Sequence, residues 1–332
     1  MSVKTRVAVK PANIPNTMQA MAIDRSGGPE VFSMHTLPVP VPTASEVLIA
    51  VHTAEVGGWD AEIRGGWSPD GKKPRFPLVL GAGGSGTVAA VGSRVRRFQM
   101  GEPVYSYSFG SPKGGFYAEY VVVPAEDAAA APRALDLKHA GAVPIAGITA
   151  LQGIDDALRV KKGERVIIYG ASGGLGVFAV QFAKLRGARV LATASGSDGV
   201  ALVRKLGADA AVDGRDGDIA RAAQEFAPEG VDAILALAGG DTLERCIDAL
   251  RKGGRLAYPN GVEPEPKRRR GIKTKPYDGT PGREEFERLG RAIESARLQV
   301  PIAAEFPLAD AKLAHERLAQ GHVLGKIVLL VR

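Results

Sequence analysis

The sequence predicts an α/β protein: a doubly wound parallel sheet preceded by a smaller, β-rich unit. Three observations predict it. From residue 160 onward, nearly continuous apolar runs alternate with helical patterns, as in a parallel sheet covered on both faces. Residues 18–135 instead carry short β-type segments separated by Gly and Pro, which reads as a small antiparallel barrel-like unit. At the head of the alternating half, Arg165-Val-Ile-Ile-Tyr-Gly-Ala-Ser-Gly-Gly-Leu-Gly-Val-Phe-Ala-Val runs from a strand through a glycine turn into a helix. The 332 residues, 45% hydrophobic and 24% charged, are long enough for two domains of ordinary size.

Residues 1–17 are basic and contain prolines, and the first strand-like pattern begins near Met18. They hold no apolar h-region, so they read as a tail, native or a tag, with a weak organelle-targeting segment as the alternative, and not as a secretory signal. β-type segments follow at Val47–Ala54, Leu78–Leu80, Thr87–Val91 and Tyr117–Val123. In the second half the expected strands are Arg165–Tyr169, Arg189–Thr193, Ala210–Val212, Val231–Ala236 and Arg255–Pro259. Helical patterns fall between them at Gly174–Leu185, Val200–Leu206, Ile219–Phe226 and Thr242–Leu250. Gly271–Tyr277 then alternates apolar and charged residues, and Pro276 limits its pairing. A helix near Glu284–Ala296, a second over Ala309–Ala319 and a strand Lys326–Val331 close the chain. The β-rich unit is therefore expected to comprise 18–135 and 280–332, around an insert of 136–279.

Composition narrows the classes. No apolar run approaches the roughly 20 residues of a membrane span. Cys246 is the only cysteine, so no intrachain disulfide can form, and the chain reads as cytoplasmic. Within DTLERCIDAL it reads as a packed helix residue. The net charge of +7 is spread along the chain. Only Lys267–Arg270 is dense, and without interleaved aromatics it reads as a solvated loop, not a nucleic-acid surface.

The glycine turn carries the chemistry. Gly170, Gly173 and Gly176 recur at every third position. With Ser172, Gly174 and Leu175 they present backbone N–H groups and a helix N-terminus to a dinucleotide's pyrophosphate. A β-carbon would obstruct the tight turn, the approach of the phosphate or the helix–strand packing.

Stretches that match a known family run through almost the whole chain. They are PLVLGAGGSGTVAAVG (77–92), VRRFQMGEPVY (95–105), GGFYAEYVVVP (114–124), AGAVPIAGITALQGI (140–154), the YGASGGLG turn, KLGADAAVD (205–213), GGRLAYPNG (253–261) and FPLADAKLAHERLAQGHVLGKIVLLV (306–331). On these the chain resembles the medium-chain dehydrogenase/reductase superfamily, and within it the zinc-free quinone oxidoreductase branch. The resemblance implies a GroES-like catalytic domain, a Rossmann domain and a cofactor cleft between them.

Zinc members of that family need Cys and His ligands in roughly tetrahedral arrangement. One cysteine cannot build a four-thiolate site. Where zinc enzymes carry Gly-His-Glu, this chain has Gly81-Ala82-Gly83, and its five histidines are scattered. No metal is expected, and His315 reads as a surface or interdomain residue. The cofactor implied is NADPH. The end of the second Rossmann strand is small and uncharged, Ser195 and Ser197 offer hydrogen bonds to a 2′-phosphate, and Lys184 and Arg215 match family positions around that group. Asp198 is the contrary residue, since it could serve as the acid of an NAD site. Ser197 or Asp198 could equally begin a helix. By the same resemblance Thr149 lies near the nicotinamide carboxamide, and Gly239, Tyr258, Asn260 and Gly261 stand at the carboxyl ends of later strands, where such ligands bind.

On the substrate side the chain departs from the family's Val-Asn-Pro-x-Asp and reads Val56-Gly57-Gly58-Trp59-Asp60. The usual amide contact is missing. Trp59 and Trp67 flank a helical turn and are expected to form an aromatic wall for a flat acceptor, with Asp60 and Arg64 spaced for a local ion pair. The implied activity is NADPH-dependent hydride transfer to small-molecule quinones or α,β-unsaturated carbonyls. Tyr105, Tyr107 or water is expected to supply the proton. An enoyl-thioester reductase, or a non-enzymatic NADPH-bound protein contacting RNA through Lys267–Arg270, remains as an alternative. In the resembling family a strand near Gly271–Tyr277 pairs with its twofold mate, so a homodimer is expected.

Overall fold

The computed structural model describes residues 14–68, 71–109, 113–215 and 217–332. Most of the expected tail, residues 1–13, lies outside them. The chain then runs through β1 (Thr17–Ile23), β2 (Phe32–Pro38), β3 (Glu46–Val56), α1 (Gly58–Gly65), β4 (Leu78–Val79), β5 (Gly83–Val91), β6 (Pro103–Tyr107), β7 (Tyr120–Pro124) and β8 (Ala128–Ala130). Two helices, α2 (Leu137–Gly141) and α3 (Pro144–Gln152), lead into the alternating half. That half is built from β9 (Arg165–Tyr169), α4 (Gly176–Leu185), β10 (Arg189–Ala194), α5 (Gly196–Lys205), β11 (Ala210–Asp213), α6 (Ile219–Phe226), β12 (Val231–Ala236), α7 (Asp241–Ile247), β13 (Leu250–Pro259) and β14 (Lys273–Tyr277). The chain ends with α8 (Arg283–Ala296), β15 (Ile302–Pro307), α9 (Ala311–Ala319) and β16 (Lys326–Leu330).

Six parallel strands form the second sheet in the order β11-β10-β9-β12-β13-β14. The order reverses between β9 and β12, which opens a crevice at their carboxyl ends, the doubly wound arrangement of a Rossmann domain. Burial explains the continuous apolar runs. Val166 and Ile168 of β9 enter one core with Phe178, Phe182 and Leu289, while Ile167 enters the opposite core with Phe226 and Leu243. Successive side chains alternate faces and both faces are covered, so no position calls for a polar residue.

The first half holds a sheet in the order β15-β16-β3-β5-β6-β8, with β7 paired to β3, and a smaller sheet β2-β1-β4. β16 lies antiparallel to β3, so the end of the chain closes the first sheet. This is the GroES-like part. β5 starts at Gly83, earlier than its Thr87–Val91 pattern suggests, because its glycines are packing residues and not turns. A β-carbon on Gly84 would stand 2.4 Å from the Thr53 carbonyl, and on Gly86 2.0 Å from that of Ala50.

Other boundaries shift for local reasons. α4 begins at Gly176, because 170–175 form the turn itself, and α5 begins at Gly196, ahead of its apolar pattern. Leu250 belongs to β13 and not to α7. β14 forms the outer edge of the parallel sheet, as its alternation suggests.

Candidate functional site

The site is built around the turn after β9. Its three glycines do three different things. Gly170 has φ +80°, a left-handed conformation that lets the strand fold back. Gly176 lets α4 seat on the strand, since a β-carbon there would lie 2.3 Å from the Gly170 carbonyl oxygen. Gly173 has no such duty: its β-carbon would meet nothing closer than that oxygen at 3.5 Å. An open position at the head of a helix, in a turn of backbone N–H groups, fits a bound diphosphate. Thr193 supports the turn by accepting from the Gly170 amide at 3.0 Å, and Ser172 Oγ accepts from the Ser195 amide at 3.3 Å. Leu175 is the residue before α4. Gly174 faces the last strand: a β-carbon there would lie 3.5 Å from Lys326 Nζ.

Ser195 stands at the position before α5, its side chain making no cap bond, with Ser197 and Asp198 in the first turn. His322, from the loop before β16, reaches this corner. Its Nε2 is 3.0 Å from Asp198 Oδ2 and its Nδ1 3.3 Å from Arg215 Nη2. Asp213 accepts from the Gly196 and Arg215 amides. Ser195, Ser197 and Arg215 therefore gather at one corner. Lys184 does not, which corrects its expected place. It lies in the last turn of α4, at the amino edge of the sheet, where Nζ binds Asp209 at 2.7 Å and the Ala188 carbonyl at 3.1 Å. An α-helix rises about 1.5 Å per residue, so α4 holds this amine roughly a helix length from the turn.

The two tryptophans do meet. Trp59 and Trp67 have ring centroids 6.4 Å apart, and Phe109 bridges them at 4.9 and 6.2 Å. Phe109 was not legible in the sequence. Trp67 remains 47% exposed, so the cluster has an open face. Asp60 and Arg64 form no pair. Asp60 caps α1, accepting from the Gly57 amide at 2.9 Å and from the Gly81 amide at 3.1 Å. Burial pushes its carboxyl up to about 6. Arg64 donates to the Gly27 carbonyl at 3.1 Å and reaches His315 Nδ1 at 3.1 Å. His315 is thus no surface residue. It is 1% exposed, contacts the Tyr117 hydroxyl at 3.1 Å, and burial lowers its pKa to about 3.

Tyr105 is also corrected. Its buried hydroxyl donates to the Phe286 carbonyl at 3.4 Å, and burial raises the phenol well above its ordinary value. Tyr107 donates to the Gly279 carbonyl at 3.1 Å. Thr149 lies in α3, where its hydroxyl donates to the Ile145 carbonyl at 2.8 Å. Tyr258 bonds Glu265 through its hydroxyl. Asn260 donates to Asp278 at 2.8 Å. Gly261 is a left-handed turn residue, and Gly239 admits the backbone of Glu263 and Pro264. Cys246 is buried and its thiol is pushed up to about 12, as suits a packed residue. Arg269 ties the basic run to Glu244 at 2.8 Å and Asp248 at 3.1 Å.

One buried pair was not anticipated. Glu55 on β3 and Lys326 on β16 lie 3.5 Å apart, with side chains 2% and 5% exposed. Glu55 Oε1 takes the lysine, and Oε2 has no hydrogen-bond partner.

This architecture is that of a dinucleotide-dependent oxidoreductase of the two-domain kind. The Alcohol dehydrogenase GroES-like domain family matches residues 43–133 and the Zinc-binding dehydrogenase family residues 206–329. Quinone oxidoreductase from Sus scrofa is 32% identical over 95% of this chain and 98% of its own length. A solved NAD-dependent alcohol dehydrogenase is 31% identical, with TM-score 0.88 over 95% of this chain and 100% of that one. A mycobacterial protein solved in complex with NADPH is 29% identical, with TM-score 0.82 over 95% of this chain and 100% of that one. The chain belongs to the medium-chain dehydrogenase/reductase superfamily, in its quinone oxidoreductase branch, and is an oxidoreductase that uses a nicotinamide cofactor.

Proposed function

We propose that the protein is an NADPH-dependent, zinc-independent reductase of quinones or α,β-unsaturated carbonyls. The observation that carries this reading is the open Gly173 position at the head of α4, with the aromatic cluster of Trp59, Trp67 and Phe109 in the other half. The reduced nicotinamide supplies a hydride when bound. The backbone N–H groups of Gly174, Leu175 and Gly176, at the head of α4, hold the diphosphate. Thr149 orients the carboxamide as an acceptor, because its own proton is already given to Ile145. Asn260, with Gly239, Tyr258 and Gly261 around it, borders the nicotinamide at the carboxyl ends of β12 and β13. The aromatic cluster covers a flat acceptor and excludes water.

Preference for the 2′-phosphate rests on Ser195, Ser197, Arg215 and His322, donors suited to a dianion. Zinc independence rests on the donor set. Cys246 is a buried, protonated thiol, and His315 is enclosed by Arg64 and Tyr117. The division into a catalytic unit (18–135 and 280–332) and a dinucleotide unit (136–279), a cytoplasmic location and a homodimer formed edge to edge through β14 complete the proposal.

A panel of quinones, enones and enoyl-thioesters tested for NADPH and NADH oxidation decides it. Quinone or enone turnover with at least several-fold tighter NADPH is expected, unchanged by a chelator. Turnover of thioesters alone, or equal affinities, overturns the corresponding part. Light scattering should give twice the 34.7 kDa chain mass.

A further inference from the structure

We propose that dinucleotide binding is coupled to proton uptake at Glu55: as the diphosphate reaches the glycine turn, Lys326 turns its ammonium toward it, and Glu55 takes one proton from solvent. The inference rests on the proposed dinucleotide site and adds a second residue pair to it. Lys326 follows Gly325, whose amide donates to the Ser172 carbonyl at 3.0 Å, so the base of this lysine is fastened to the turn. Its Nζ stands 3.5 Å from the place of a β-carbon on Gly174, against the turn itself. Its ion-pair contact is with Glu55, at a long 3.5 Å, and Asp60 adds a second, more distant negative charge.

Glu55 is the group in this pocket made to change its charge. Around it are Lys326 from β16, Asp60 from α1, Tyr107 from β6, Tyr117 and the Ile145 backbone of α3. Both oxygens of Asp60 accept backbone amides, and although burial raises this carboxyl to about 6, it is ionised at about pH 8. The two phenols are raised by burial and stay neutral, and neighbouring His315 is neutral as well. Glu55 has one oxygen on Lys326 and one without a partner, and burial pushes its carboxyl up to about 7. A diphosphate beside Lys326 adds negative charge and takes away the one compensating cation. Both effects favour the neutral acid. The balance is simple: an O–H bond forms on Glu55, the proton comes from water or buffer, and no electron moves.

Calorimetric titration of the whole protein with NADPH and with NADH, in two buffers of different ionisation heat, tests this. NADH has no 2′-phosphate to titrate, so its proton count reports the protein. At about pH 8 uptake should approach one proton per nucleotide, and at about pH 5.5, where Glu55 is already protonated, it should vanish. Affinity should fall by up to about tenfold per pH unit above pH 7. Glu55→Gln should bind with no uptake and with affinity flat over that range. Buffer-independent heats for the native protein at about pH 8, or uptake retained in Glu55→Gln, overturn the coupling. Absence of any nucleotide binding overturns both the coupling and the dinucleotide site it rests on. The arms on the native protein stand even if the variant folds poorly.

Discussion

Two acid–base contacts border the same proposed cleft, and they differ in almost every respect. His322 and Asp198 lie 3.0 Å apart at the outer corner, with side chains 32% and 59% exposed. Lys326 and Glu55 lie 3.5 Å apart inside, and almost no solvent reaches them. The shorter contact is the weaker one, because water screens it and two side chains must be ordered to keep it. The longer contact carries a large desolvation penalty, so losing either partner leaves a bare buried charge. Distance alone therefore misorders the two. The outer pair suits recognition, where charges must be free to meet a ligand, and the inner pair suits a site whose protonation changes.

Removing the inner cation should have the largest effect. Lys326→Met is expected to cost about 3–5 kcal/mol of unfolding free energy near pH 8. The sign follows from Glu55, whose folded carboxyl is raised above its ordinary value of 4.5 to about 7. Its ionised form is disfavoured in the fold, so the protein loses stability as pH rises through that interval. The penalty in Lys326→Met should therefore shrink near pH 5. Urea unfolding at both values checks this, and an equal loss at both would refute it.

The glycines sharpen the contrast between fold and ligand. Gly173→Val should leave the protein folded and weaken dinucleotide binding roughly a hundredfold, about 2.7 kcal/mol. Gly176→Ala should instead lower the melting temperature itself, since its β-carbon meets the Gly170 carbonyl at 2.3 Å. Circular dichroism with fluorescence titration separates the two, and a folded Gly173→Val that binds normally would move the diphosphate elsewhere. The smallest effects belong to the outer corner. Arg215→Ala and His322→Ala should each weaken NADPH about tenfold, leave NADH nearly unchanged and scarcely alter stability. An equal loss for both nucleotides would remove the 2′-phosphate from this corner.

The parallel half was legible because each of its strands is buried on both faces, which leaves a continuous apolar run between helical patterns. The glycine turn was legible for a related reason: its geometry is local, and few residues other than glycine satisfy it. The first half was harder to read. Gly84 and Gly86 are strand glycines that look like turn residues until β3 packs against them. Tyr105 and Lys184 carry suitable chemistry in suitable stretches, yet one hydroxyl is spent on Phe286 and one amine on Asp209. Asp60 and Arg64 have ion-pair spacing, but backbone amides and His315 claim them first.

The sequence by itself determined the doubly wound sheet, the glycine turn, the family and the pair of tryptophans. These rest on periodicity and local backbone geometry, which neighbours along the chain encode. Only the tertiary structure decided that Phe109 joins the tryptophans, that His322 comes to Arg215 and Asp198, and that Glu55 faces Lys326 across 271 positions of chain. A charged residue at the end of an apolar strand was visible at Glu55, but its partner was not. Pairing between distant residues is set by the register of β3 against β16, and register is a property of the folded sheet.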